Sequence, residues 1–96
     1  MHPKKPSITA STSDGILETG HKLDLSCETE SKGQNITYTF YNGTKELANN
    51  GARNDTITIT AGQIASVETY SCQVEINGVK SDNSTTQKIR IIGKIF

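Results

Sequence analysis

Tryptophan is absent from this sequence, and its aromatic complement is three tyrosines and two phenylalanines. Hydrophobic residues make up 32% of the 96 positions, so any core must be thin and efficiently arranged. Net charge is also missing: ten basic residues balance ten acidic ones, and no basic stripe of the kind a nucleic-acid binder needs is left over. The one local concentration, Lys4-Lys5, is a short solvated patch. No apolar run approaches the roughly 18 residues of a membrane-spanning helix, so direct membrane contact is not expected. No signal peptide opens the chain. The first residues, MHPKKP, read as an initiator methionine ahead of a domain excised from a longer protein. Residues 1–5 are therefore expected to be a leading linker and 93–96 a trailing one, with a single domain over 6–92.

Catalytic signatures are missing as well. There is no Gly-x-Ser-x-Gly elbow, no HExxH, no CxxC, and no glycine-rich phosphate loop before a helix. The acidic residues are scattered over positions expected to face solvent. His2 and His21 do not form a four-ligand set with the two cysteines, so no metal site is expected. No cofactor and no enzymatic activity are implied.

What the sequence does have is threonine and serine, 13 and 9 residues, together with β-branched isoleucine and valine. This composition favours strands. Period-two alternation recurs along the chain where helical periodicity does not. Residues 21–28 align Leu23, Leu25 and Cys27. Residues 35–41 align Ile36, Tyr38 and Phe40. Residues 55–60 align Ile57 and Ile59, residues 68–76 align Tyr70, Cys72, Val74 and Ile76, and residues 87–92 align Ile89 and Ile91. Weaker pieces lie at 6–10 and 15–17. Turn signals fall between them at Ser13-Asp14-Gly15, Glu18-Thr19-Gly20, Lys32-Gly33, Asn42-Gly43 and Asn49-Asn50-Gly51. Asn77-Gly78 has the strongest pattern for a two-residue hairpin turn, because both central residues need positive φ. Residues 61–67 read as a turn or a short helical crossing rather than a strand.

Seven or eight short strands with one apolar face each are expected to form two antiparallel sheets packed face to face. The fold class is thus all-β, a sandwich. Cys27 and Cys72 both sit mid-strand on the apolar face. A disulfide, free buried thiols and metal ligation are the alternatives for them. If their strands lie in opposite sheets, the two sulfurs face each other across the core, and a bridge there would stabilise by roughly 4 kcal/mol.

These features resemble the immunoglobulin superfamily, of the I-set or C2 kind. LDLSC (23–27) looks like strand B of that fold. The stretch 57–72 looks like strands E to F, with Ile59 eleven places before Tyr70 and Tyr70 two places before Cys72, the position of the family's corner tyrosine. The resemblance implies an inter-sheet Cys27–Cys72 disulfide, a buried Tyr70 ring, and a hydroxyl bonded to nearby backbone. TFYNG (39–43) resembles the family's tryptophan-bearing strand, which places Phe40 in the tryptophan slot with Tyr38 as its rival. Ser66 and Glu68 stand where the family tends to have aspartate and glycine. The expected core comprises Leu25, Tyr38, Phe40, Ile57, Ile59, Tyr70 and Val74.

The resemblance also implies a function. It is similar to Ig domains of cell-surface adhesion molecules, of Fc-receptor-like proteins and of platelet–endothelial adhesion receptors. That implies an extracellular module recognising a protein ligand or another Ig-like domain, as a monomer or a weak homophilic dimer. The alternative is a structural link in an intracellular muscle or cytoskeletal array, with reduced cysteines. Four glycosylation sequons begin at Asn35, Asn42, Asn54 and Asn83, against about 1.6 expected by chance from this composition. Tyr41, Glu75, Asn77, Gly78 and Lys80 are the candidate contact residues, on strands C and F–G and the turn between them.

Overall fold

Each alternating segment becomes a strand because only an extended chain puts all its apolar side chains on one side. The computed structural model describes residues 3–30, 35–47 and 54–93. In chain order the strands are β1 (Ser7–Ala10), β2 (Ile16–Glu18), β3 (Lys22–Glu28), β4 (Ile36–Asn42), β5 (Lys45–Glu46), β6 (Thr56–Thr60), β7 (Ser66–Ile76), β8 (Val79–Lys80) and β9 (Gln87–Ile92). One sheet has the order β1-β3-β6. The other runs β2-β9-β7-β4-β5, with β8 also paired to β7. The two sheets form an Ig-like sandwich.

Its interior is filled from both layers. Ile8, Leu23, Leu25, Cys27 and Ile57 come from the three-stranded sheet, and Tyr38, Phe40, Tyr70, Cys72, Val74, Ile89 and Ile91 from the six-stranded one. A disulfide joins Cys27 of β3 to Cys72 of β7, with the Cα atoms 6.0 Å apart, and so pins the sheets together across the core. Phe40 has no exposed surface and lies directly opposite Cys72 in the β4–β7 ladder, on the same inward face. Tyr38 lies one inward pair further along, opposite Val74. Phe40 is therefore the ring beside the bridge. Tyr70 is buried, but among the described residues its hydroxyl makes no backbone hydrogen bond of the kind the resemblance implied.

Several details depart from expectation. Ile59 is only half-buried, because it lies one pair from the end of the ladder on the outer strand of its sheet. Residues 61–65 form neither helix nor strand, and β7 begins earlier than expected, at Ser66. The sheets are not wholly antiparallel: Ile16–Glu18 pairs in parallel with Arg90–Ile92. The cause is a break in the N-terminal strand. The Thr12 hydroxyl donates to Asp14 Oδ1 at 2.8 Å, and Asp14 Oδ1 accepts from the Ile16 N–H at 3.1 Å. These bonds hold the Asp14 carboxyl below its usual pKa, the Thr12 hydroxyl contributing most. They also close a turn that carries the chain from one sheet to the other. Gly15 sits in it with φ +74°, and a Cβ there would meet the Lys88 carbonyl at 3.4 Å. The turn signals at Lys32-Gly33 and Asn49–Gly51 lie outside the described residues.

Candidate functional site

The outward side of the six-stranded sheet is built from residues of opposite parity to the core. Three rows cross β4 and β7: Tyr41 beside Ser71, Thr39 beside Gln73, and Thr37 beside Glu75. Strand β5 extends the first row with Glu46, and β8 extends the third with Lys80. Tyr41, Glu75 and Lys80 thus share one face. The Tyr41 and Glu75 rows are four residues apart along β4, about 14 Å at 3.4 Å per residue. Asn77-Gly78 forms the two-residue hairpin turn at the end of this face, with φ values of 53° and 82°. Positive φ at both positions is the type I′ geometry that the right-handed strand twist favours.

Two hydrogen bonds organise the middle of the face. The Tyr41 hydroxyl donates to Gln73 Oε1 at 3.3 Å, and Gln73 Nε2 donates to the Ser81 carbonyl at 2.7 Å. Partial burial, with Glu46 adding to it, raises the pKa of Tyr41 above its ordinary value. Neither Gln73 nor Ser81 was singled out from the sequence. Gln73 has the parity of Glu75, which was a usable signal. Ser81 gave none, because its role depends on how the chain bends after β8.

That bend, residues 81–86, lies outside any strand. Lys80 opposes Glu75 and Gln87 opposes Tyr70, so six residues, 81–86, span four positions of β7, 71–74. Two surplus residues must bulge outward. Two serines repair the ladder. Ser81 N–H donates to the Val74 carbonyl, while Ser81 Oγ accepts from Val74 N–H at 3.1 Å. Ser84 repeats the arrangement on Cys72, its Oγ accepting from Cys72 N–H at 2.9 Å. Each hydroxyl stands in for the backbone carbonyl that the bend has turned away. Each also donates onward, to the carbonyls of Asp82 and Thr85. Both serines are buried.

The sequons fall in different settings. Asn35, Asn54 and Asn83 are exposed, Asn83 at the crest of the serine bulge. Asn42 is half-buried at the end of β4, and its Nδ2 donates to Glu68 Oε1 at 3.2 Å. Ser66 Oγ donates to the other oxygen of Glu68 at 2.8 Å. The two residues at the family's aspartate and glycine positions therefore bond each other. Burial, reinforced by Glu68, raises the pKa of Tyr70. Among the described residues, no group of three or more His, Cys, Asp or Glu side chains is placed to hold a metal ion.

A family model for the immunoglobulin domain matches residues 5–90. No curated protein sequence matches the chain. Among solved structures, fibronectin(III)-like modules of Clostridium thermocellum CbhA superpose with a TM-score of 0.72 at 18% identity, over 92% of this chain and 47% of that one. Murine CEACAM1b gives 0.67 at 18% identity, over 96% of this chain and 46% of that one. An ICAM-5 D1–D4 ectodomain fragment gives 0.68 at 18% identity, over 92% and 28%. The chain thus spans less than half the length of each of these three, and at such identities the likeness is one of fold. With the bridged sandwich and a family-model match over most of its length, the chain belongs to the immunoglobulin domain family.

Proposed function

We propose that this domain is an extracellular recognition module that binds a protein partner through the outward face of its six-stranded sheet. The observation carrying this reading is the convergence of Tyr41, Gln73, Glu75 and Lys80 on one face, with the Asn77-Gly78 turn at its end. An aromatic residue ringed by polar groups is a common form of interface anchor. The inter-sheet disulfide supports an oxidising compartment, since such bonds persist outside the cytosol and are rare within it. Murine CEACAM1b and the ICAM-5 ectodomain fragment share the fold, which agrees with an adhesion or receptor setting. Asn35, Asn54 and Asn83 are the proposed glycan acceptors. Asn42 is the least available of the four, because it alone of them is half-buried, and its amide donates to Glu68.

The test has two parts. Intact-mass analysis of the native protein, isolated from its own cells under thiol-trapping conditions, should show a closed bridge and at least one glycan; two free thiols and bare asparagines would favour an intracellular array instead. Multivalent beads carrying the domain should bind cells that display its partner, and Tyr41→Ala, Glu75→Ala and Lys80→Ala should weaken that binding. Undiminished binding by all three variants would remove this face from consideration.

A further inference from the structure

The hydrogen bonds around Tyr41 have a fixed polarity. The Ser81 carbonyl can only accept, so the Gln73 side chain must present its nitrogen there, at 2.7 Å. Its amide oxygen is then what faces Tyr41. An amide oxygen cannot donate, so the Tyr41 hydroxyl must give its own proton to Gln73. Ser81 is itself held at both ends, by Val74 through its N–H and its Oγ and by Asp82 through its hydroxyl proton. The relay from the bulge to the ring therefore has one arrangement. What the phenol oxygen retains for an incoming group is acceptor capacity alone. Glu46 stands next to Tyr41 in the same row, and its negative charge adds to the field at the ring.

Resting on the reading of this face as the interface, we propose that Tyr41 is the docking point for a cationic side chain, arginine or lysine, from the protein partner. Such a group brings N–H donors to the phenol oxygen and positive charge to the ring face and to Glu46. A carboxylate brings neither: it finds no proton on Tyr41 and is repelled by Glu46. Gln73 and Ser81 are positioning residues, because they set which way the hydroxyl proton points.

The probes are blocked tripeptides, acetyl-Gly-Arg-Gly-amide, its lysine counterpart and its glutamate counterpart, titrated into the isotopically labelled, disulfide-closed domain. Nuclear magnetic resonance follows the Tyr41 ring and the Gln73 side-chain amide. The arginine and lysine peptides should give saturable shifts at both groups, and the glutamate peptide should not. Tyr41→Phe keeps the ring and removes the acceptor, and should weaken the arginine peptide by roughly threefold to tenfold. Glu46→Gln should weaken it as well. Gln73→Leu frees the hydroxyl proton and should narrow the preference for arginine over glutamate, a change that loss of packing alone would not produce. Equal shifts with the arginine and glutamate peptides, or no saturable shift at Tyr41 with either cation, would overturn the proposal. These titrations need no physiological partner. Their failure alongside intact sensitivity of cell binding to Glu75 and Lys80 would reject the cation site and leave the binding face standing.

Discussion

Replacing Ser84 by alanine should destabilise the domain far more than a serine in an irregular loop ordinarily would. Its Oγ is the acceptor for the Cys72 N–H at 2.9 Å, and Cys72 has no exposed surface. Alanine leaves that N–H buried with no acceptor and also removes the donor to the Thr85 carbonyl. An unsatisfied buried donor costs about 1–3 kcal/mol. For a domain of this size each kilocalorie lowers the melting midpoint by roughly 4–8 °C, so a loss of about 10 °C is expected. Ser81→Ala should act alike through Val74 N–H. The double variant need not be additive, because Cys72 and Val74 share one strand. Urea unfolding of the parent, of each variant and of the exposed Ser13→Ala control gives the free energies, and amide exchange locates the effect. Ser84→Ala should speed exchange at Cys72 more than at Leu25 on the opposite sheet. A Ser84→Ala protein within about 0.5 kcal/mol of the parent, the range of ordinary surface substitutions, would refute the idea that these hydroxyls stand in for ladder carbonyls.

Other outcomes follow from the same geometry. Removing the bridge with Cys27→Ala and Cys72→Ala should cost about 4 kcal/mol, measured by denaturant unfolding. Phe40→Ala, at a site with no exposed surface beside that bridge, should cost about 3–5 kcal/mol in the same assay. Gly78→Ala meets no atom within 4 Å, so its cost should be the backbone strain of φ +82° alone, about 1–2 kcal/mol, visible as a small fall in melting temperature. Tyr38, Tyr41 and Tyr70 all have folded pKa values raised above 10.0, chiefly by burial. The unfolded chain therefore releases these protons first, and the stability they contribute is full below pH 10 and lost as pH rises through their folded values. Stability measured from pH 8 upward should fall in that window, and less steeply in Tyr70→Phe. In dilute solution the domain should be a monomer by light scattering; a dimer that persists at every concentration would contradict this.

The strands that sequence reading found were those whose alternation is long enough to define a face. Leu23, Leu25 and Cys27, or Tyr70, Cys72 and Val74, can all be buried together only in extended chain. The hairpin at Asn77-Gly78 was legible because its φ requirement is local. Strands of two residues, such as Lys45–Glu46 and Val79–Lys80, carry no period to detect. The parallel pairing of β2 depends on a partner more than 70 positions away, which no local pattern encodes. Ser81 and Ser84 look like ordinary loop serines until β7 is laid beside them. Tyr41 was identifiable as outward-facing, but the direction of its proton rests on Gln73, 32 residues away, and through it on Ser81.

The broken N-terminal strand has a mechanical consequence. Because Ile16–Glu18 runs parallel to Arg90–Ile92, tension that enters at Ile16 and leaves at Ile92 pulls this pair in opposite directions along its length. Its hydrogen bonds then bear the load together in shear, whereas a hairpin pulled at its open end loses them one by one. Should the shear seal give way, the Cys27–Cys72 link still withholds the loop between those residues, 45 positions or about 150 Å of extended chain, from the length the domain can release.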